Sequence, residues 1–234
     1  MTKGVAEVGK NGEKREYSKY SFDYGGKIIH FSPDLGWSSN TGAHAWEIDV
    51  QAWNKIEGMS EKIKDEFISK MANNPHNKQV IINLTEKMIA NNFKLTSVPI
   101  SKPLTWLTPE LYKKVKAENI EIQSPIIVFE ETQVKHSLSG RKVEKQRLNK
   151  EQFKNIYDYI QKPDEIFIDL EDLALIFVKF LPEKEIIDGR DCIKIPIKIN
   201  SRDEKRPVNY MSTSGRINYH KTFGGTQKRY KKVE

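Results

Sequence analysis

The residue types best suited to chemistry in this chain begin at His136, which is followed within eleven positions by Arg141, Lys142, Lys145 and Arg147. An imidazole takes or gives a proton near neutral pH, and fixed cations beside it stabilise charge developing on a phosphate. Farther on, Lys194 and Lys198 alternate with Ile193, Ile195, Ile197 and Ile199. That spacing puts both lysines on one face of a strand and the isoleucines on the other. In the next segment Asn209 and Thr213 fall on one strand face, with Ser214 and Arg216 beside them. If the His136 segment covers the polar face of these strands, the result is a cleft with one titratable ring, several cations and a hydroxyl. Such a cleft suits a phosphodiester. The strands carry no carboxylates at metal-ligand spacing, so the expected chemistry needs no metal and no other cofactor. Cleavage without a metal needs an internal nucleophile, and RNA has one in its 2′-hydroxyl.

Each of these residues also has an ordinary structural reading. A single histidine on a helix is more often packed or capping than catalytic, alternating lysine and isoleucine is what any half-exposed strand shows, and Thr213 is a good β-former. The basic residues after position 140 are partly balanced by Glu144 and Glu151 and read equally as a solvated face.

The elements that must position these residues are legible in part. Residues 1–60 are rich in glycine, hold Trp37, Trp46 and Trp53, and keep neither a strand nor a helix period, which predicts loop-rich chain. Ser60 is placed to cap a helix carrying Ile63, Phe67 and Met71, Pro75 to break it, and residues 78–91 to form a second helix. Three prolines within 96–109 read as a linker. Thr108-Pro109-Glu110 then starts a helix. Residues 125–129 read as a strand, 130–148 as a helix broken near Gly140, and Asn149 as the cap of a helix that buries Phe153, Ile156, Tyr157 and Ile160 before Pro163. Strands follow at 165–169, 173–180, 191–200 and 207–217. The expected architecture is α+β: residues 1–95 loop-rich then helical, 96–107 a linker, 108–223 a small domain of helices on a four- to five-stranded, mainly antiparallel sheet, and 224–234 a basic tail.

Composition narrows the setting. Of 234 residues 37% are hydrophobic and 10% aromatic, enough for a core, and no run approaches the ~20 apolar residues of a membrane helix. No membrane partner is expected, and the first twenty residues lack the apolar core of a secretory signal. The one cysteine, Cys192, excludes an internal disulfide framework and a Cys-rich zinc site, which makes a reducing compartment the default. The net charge is +7, and the last 34 residues hold nine basic against three acidic side chains, so an anionic partner is expected there.

Several segments resemble a known family. LTPELYKKVKAENIE (108–122), PIIVFEETQVKHSLSGRK (125–142), QKPDEIFID (161–169), LALIFVKF (173–180), IKIPIKIN (193–200) and VNYMSTSGRI (208–217) are similar to the C-terminal domain of Mu-type phage minor head proteins. That domain is assigned to the phage branch of the barnase, EndoU, colicin and RelE-like ribonuclease folds. Upstream, SPDLGWSSNTGAHAWEIDVQAW (32–53) resembles a stretch that precedes it in the same proteins, and the chain, short for a whole minor head protein, is expected to be a C-terminal half, the product of a split gene or an expressed fragment.

The resemblance implies a metal-independent, toxin-like endoribonuclease of phage or prophage origin, acting in the bacterial cytoplasm or carried in the virion. Phage head or portal components and an immunity protein are its implied partners. His136 would be general base or acid, Arg141 and Lys198 would stabilise the phosphorane, and Thr213 would orient a phosphate oxygen. Lys142, Lys194, Asn209, Ser214 and Arg216 would bind the RNA. Lysine stands at 194 and 198 where the family pattern leads one to expect arginine, which keeps charge but loses the bidentate fork. Two other readings stand beside this one: a virion structural or morphogenesis protein with an inactive nuclease fold, and a DNA-binding module for packaging or ejection driven by the basic tail.

Overall fold

The computed structural model describes residues 2–8, 13–24, 27–31, 46–95, 101–139, 144–200, 208–225 and 229–233. Strands β1 (Thr2–Val8), β2 (Glu13–Tyr24) and β3 (Lys27–Phe31) pair antiparallel in that order where loop-rich chain was expected. The sequence of β2 holds Tyr17, Tyr20, Phe22 and Tyr24, residue types that favour a strand, between the glycines that suggested a loop. Residues 32–45 of the upstream resemblance lie outside the described residues, and its last part is helix α1 (Trp46–Ile56).

Helix α2 (Glu61–Ala72) starts after Ser60 as expected and buries Phe67 and Met71. Helix α3 (Pro75–Ala90) begins at the proline taken as a breaker, because the first helical position needs no N–H. The expected linker contains strand β4 (Ser101–Trp106). Pro103 is accommodated because β4 is the edge of its sheet and its register with the next strand shifts between Pro103 and Thr105. Helix α4 (Pro109–Ala117) is capped by Thr108, whose hydroxyl accepts from Leu111 N at 3.3 Å. Trp106 of β4 meets Phe67 of α2 and Trp53 of α1 at centroid separations of 5.7 and 6.1 Å. The helices before residue 96 and the sheet after it therefore share one core.

The remaining elements are β5 (Ile126–Glu130), α5 (Glu131–Leu138), a 3₁₀ turn at Glu144–Gln146, α6 (Lys150–Lys154), α7 (Ile156–Gln161), β6 (Glu165–Asp169), β7 (Ala174–Phe180), β8 (Cys192–Lys198), β9 (Asn209–Met211), β10 (Gly215–Ile217), α8 (Tyr219–Phe223) and β11 (Tyr230–Lys232). The fold is α+β, with a mixed sheet of eight strands instead of four or five. Its order is β11-β6-β7-β8-β9-β5-β4, β10 also pairs β8, and the β5–β9 pair alone is parallel. Three strands are extra: β4, from the expected linker, β11, from the expected tail, and one gained because the strand expected over 207–217 is two, β9 and β10. Leu175, Phe177, Ile193, Ile195 and Ile197 project from one face into the core shared with the helices, Val134 of α5 included. Phe167, Ile176, Val178 and Cys192 project from the other face, under Tyr219, Phe223 and Tyr230. Among the described residues no helix is long and apolar enough to cross a membrane.

The described part of the tail is docked. Arg229 Nη2 reaches Asp169 Oδ2 at 2.7 Å and Asp172 Oδ2 at 2.8 Å, and Nη1 reaches Glu171 Oε2 at 2.9 Å. Lys231 pairs with Glu118, and Lys232 with Glu165. Three of the cations expected to attract an anionic partner are thus matched by acids of the same chain. Burial pushes the Asp169 carboxyl up, but its bonds from Arg229 and from the N–H groups of Asp172 and Glu171 outweigh burial and hold it below the usual carboxylate range. A carboxylate depressed in the folded state adds stability that is complete above its unfolded value of about 4 and is lost as pH falls through the folded value. Acid titration should therefore loosen β11 below about pH 4, and Asp169→Asn should flatten that acid limb in a melting-temperature profile. On the same sheet face burial, reinforced by Asp191, pushes the Cys192 thiol up to about 12. The native protein should leave Cys192 unalkylated by iodoacetamide at pH 8, and rapid labelling of folded protein would contradict that burial.

Candidate functional site

The site begins where β5 runs straight into α5. Glu130 caps the helix, and its backbone N–H donates to Gln133 Oε1 at 3.1 Å, giving a reciprocal box that starts the helix without a loop. Val134 and Ser137, three apart, face inward and are buried, which leaves His136 exposed on the outer side of the last turn. Ser137 ties that turn to two other segments. Its hydroxyl accepts from Ser214 N at 3.1 Å, and its carbonyl accepts from Leu148 N at 3.0 Å.

Ser214 reaches the helix because of a bulge. Met211 lies opposite Ile197 and Gly215 opposite Lys194, so three residues, 212–214, stand against two, Ile195 and Pro196. One extra residue bends a strand and re-aims its side chains. Pro196 supplies the cause. Its carbonyl accepts from Ser212 N at 2.8 Å, so the edge where it lacks an N–H is the one facing the bulge. The single strand expected over 207–217 is therefore two short ones, β9 and β10. The common face expected for Asn209 and Thr213 is lost with it, since each residue beyond the bulge changes side. Arg216, opposite Ile193, points toward the helices, while Ile217 points away.

The structure divides the expected residues into three groups. Ser214 bonds to the C-terminal turn of α5, which carries His136, and Thr213 precedes it in the chain, while Arg216 is held by Gln152 of α6 and the 3₁₀ turn at Glu144–Gln146 lies beside β10. Thr213 is half-buried and His136 exposed. Lys194 and Lys198 do not join them. Their register partners Val178 and Ala174 belong to the sheet face opposite the helices, where Lys194 Nζ donates to Tyr230 Oη at 3.2 Å and lies 5.1 Å from that ring. The alternation that separated lysine from isoleucine is as expected, but α5 packs on the isoleucine side, so no cleft joins His136 to these lysines. Arg141 and Lys142 lie outside the described residues.

Asn209 is fully buried. Its Nδ2 donates to Ser124 O at 2.8 Å and Ile126 O at 3.0 Å, and its Oδ1 accepts from Asn200 N at 3.2 Å. It fastens β9 to the start of β5, and this replaces the RNA contact expected of it, since exposing the amide would strand buried backbone carbonyls. Ser214, equally buried, serves the helix through its backbone and offers no nucleic-acid surface. Lys145 is engaged by Asp188 at 3.2 Å, and the Asp188 carboxyl is held below its usual range by Lys145 first and Arg190 next.

Two residues of this region were missed in the sequence. Ser137 carries no signal of its own. Gln152 does: it stands three residues after the cap Asn149, the spacing of a capping box, and it binds Arg216. Among the described residues no three His, Cys, Asp or Glu side chains gather as a metal-ligand set. Family models, curated proteins and solved structures were each compared with the chain, and none of the three comparisons finds a match.

Proposed function

We propose that this chain is an endoribonuclease of the phage barnase-like type, cleaving RNA without a metal at the C-terminal turn of α5. The observation that carries the reading is the Ser214 N–H bond to Ser137 Oγ, which sets the strand segment holding Thr213 against the helix turn holding His136. His136 accepts the 2′-hydroxyl proton as the 2′ oxygen attacks phosphorus. The bond from phosphorus to the 5′ oxygen breaks, that oxygen takes a proton from solvent, and a 2′,3′-cyclic phosphate remains. Thr213 orients a non-bridging oxygen, and Arg141 and Lys142, next in the chain after α5, are assigned to charge on the phosphorane. The resemblance of residues 108–220 to phage minor head proteins supports a phage or prophage origin, with head components or an immunity protein as partners.

A second reading is favoured by one observation. Asn209 and the backbone of Ser214 are both spent on internal bonds, as suits a nuclease fold kept only for head assembly. Incubation with total RNA in EDTA across pH 5–8 separates the two. Fragments ending in cyclic phosphate are expected, whereas intact RNA would favour the assembly protein, and activity lost in EDTA and restored by magnesium would overturn the mechanism. Lys198→Ala, on the far sheet face, should leave the cleavage rate unchanged in the same assay. A large loss there would mean that the substrate crosses both faces.

A further inference from the structure

The hairpin from β6 to β7 turns through Leu170, Glu171, Asp172 and Leu173. Its tip is tied down, because Asp169 Oδ1 accepts from the N–H groups of Glu171 and Asp172 at 3.2 Å and Leu170 N donates to Arg229 O at 2.9 Å. Even so, Leu170 and Leu173 are 48% and 57% exposed, and Leu173 has a φ of 47°. That left-handed region suits asparagine, aspartate and glycine, and a leucine held there is strained. Of the other non-glycine residues described in that region, four are asparagine or aspartate and the fifth, Phe93, packs against the core. The fold accounts for the backbone of Leu173, whose carbonyl accepts from Ile199 N at 2.9 Å, and leaves its side chain unaccounted for.

Toward the other end of the hairpin, where Ile166 pairs with Phe177, lies a pocket with about 70 Å³ of free volume. Buried Trp106, Leu111, Ile160 and Phe177 form its walls, and half-buried Gln161 and Ile166 bring it to the surface. Since an apolar cavity of about 150 Å³ holds benzene, this one takes a group of about three or four carbons. A leucine side chain is of that size. The charged residues beside the lining in sequence are Glu110 on the α4 side, Lys162, and Asp164, which Lys179 engages at 2.7 Å. Lys162 has no acid partner among the described residues. The hairpin tip has the opposite imbalance, with Asp169, Glu171 and Asp172 sharing the one guanidinium of Arg229.

We propose that Leu173 of one copy of this chain seats in the pocket of a second copy, joining the molecules head to tail. The acid-rich tip then meets the side of the rim that carries Lys162, and the strained leucine is withdrawn from water. About 13 Å of strand separates Leu173 from Phe177, so a molecule does not fill its own pocket. Tip and pocket are different surfaces, and a contact between them propagates into a chain or ring of copies instead of closing a two-fold pair. One leucine in one small pocket makes a weak, readily exchanging contact. It does not draw on the ribonuclease reading.

The test is sedimentation velocity of the full chain at rising concentration, where wild-type protein should shift steadily toward larger species. Leu173→Asn suits the positive φ, so it should hold or raise the melting temperature while weakening association about tenfold, the effect of withdrawing one leucine side chain from an apolar pocket. This variant can receive a leucine but offers none. Added to wild-type protein, it should therefore cap the assemblies and shorten them. Ile166→Phe, which fills the pocket from its rim, should weaken association to the same degree, and the two variants mixed together should form pairs. Should Ile166→Phe not fold, capping by Leu173→Asn decides: shortened wild-type assemblies support the contact, and unshortened ones overturn it. Wild-type protein that stays monomeric at every concentration overturns it and leaves the pocket to a different apolar partner. Association of Leu173→Asn as strong as that of wild type overturns it as well.

Discussion

His136→Ala is expected to lower RNA cleavage by about 10²–10⁴-fold, the usual contribution of a positioned proton-transfer group, with little change in melting temperature. The second half follows from position. His136 is exposed on the outer side of α5, and the stripe that anchors the helix is Val134 and Ser137, so removing the imidazole opens no cavity. Cleavage rate and thermal unfolding measured on the same preparations separate the possibilities. A folded, fully active variant removes His136 from the mechanism. A destabilised variant whose activity falls only in proportion to unfolded protein would make the histidine a packing residue. Thr213→Val provides a companion measurement, since it should slow cleavage while leaving nearly intact the binding of a 2′-O-methyl oligoribonucleotide, which lacks the nucleophile and cannot be cleaved.

Arg229→Ala should be the most damaging single change to stability outside the hydrophobic core. The Asp169 side chain is 2% exposed, and its two oxygens accept three hydrogen bonds from Arg229. Removing the guanidinium leaves a buried carboxylate whose other donors among the described residues are the N–H groups of Glu171 and Asp172, both at 3.2 Å. Breaking such a pair from one side costs about 2–4 kcal/mol. The contacts to Glu171 and Asp172 lie at the surface and add little. For a chain of this size the loss corresponds to a fall of roughly 5–15 °C in melting temperature. Removing residues 229–233 should act in the same direction and also uncover Phe167 and Phe223, whose rings stack at 4.3 Å beneath Tyr230. Unchanged thermal unfolding of Arg229→Ala would mean that β11 is not held on β6 in solution, and the tail would again read as a solvated basic segment.

Local pattern alone determined several parts of this protein. Thr108 with Pro109, Asn149 with Gln152, and the alternation of isoleucine with lysine along β8 each act within a few residues, through a cap, a reciprocal hydrogen bond or the two-residue period of a strand. Their places could therefore be read without a fold, as could the buried stripe Phe153, Ile156, Tyr157 and Ile160. Tertiary structure decided which side of β8 the helices cover, and hence that His136 and the two lysines lie on opposite faces of the sheet. Alternation says that two sets of side chains diverge, but the burial that selects one set comes from helices far earlier in the chain that share its core. Tertiary structure also decided the fate of Arg216 and of the tail. A single extra residue between Met211 and Gly215, placed where Pro196 offers no N–H, turns Arg216 inward, and Asp169 converts a run of basic residues into a strand. In both cases the deciding partner is far away in the chain, and neither its distance nor its orientation is encoded in local periodicity.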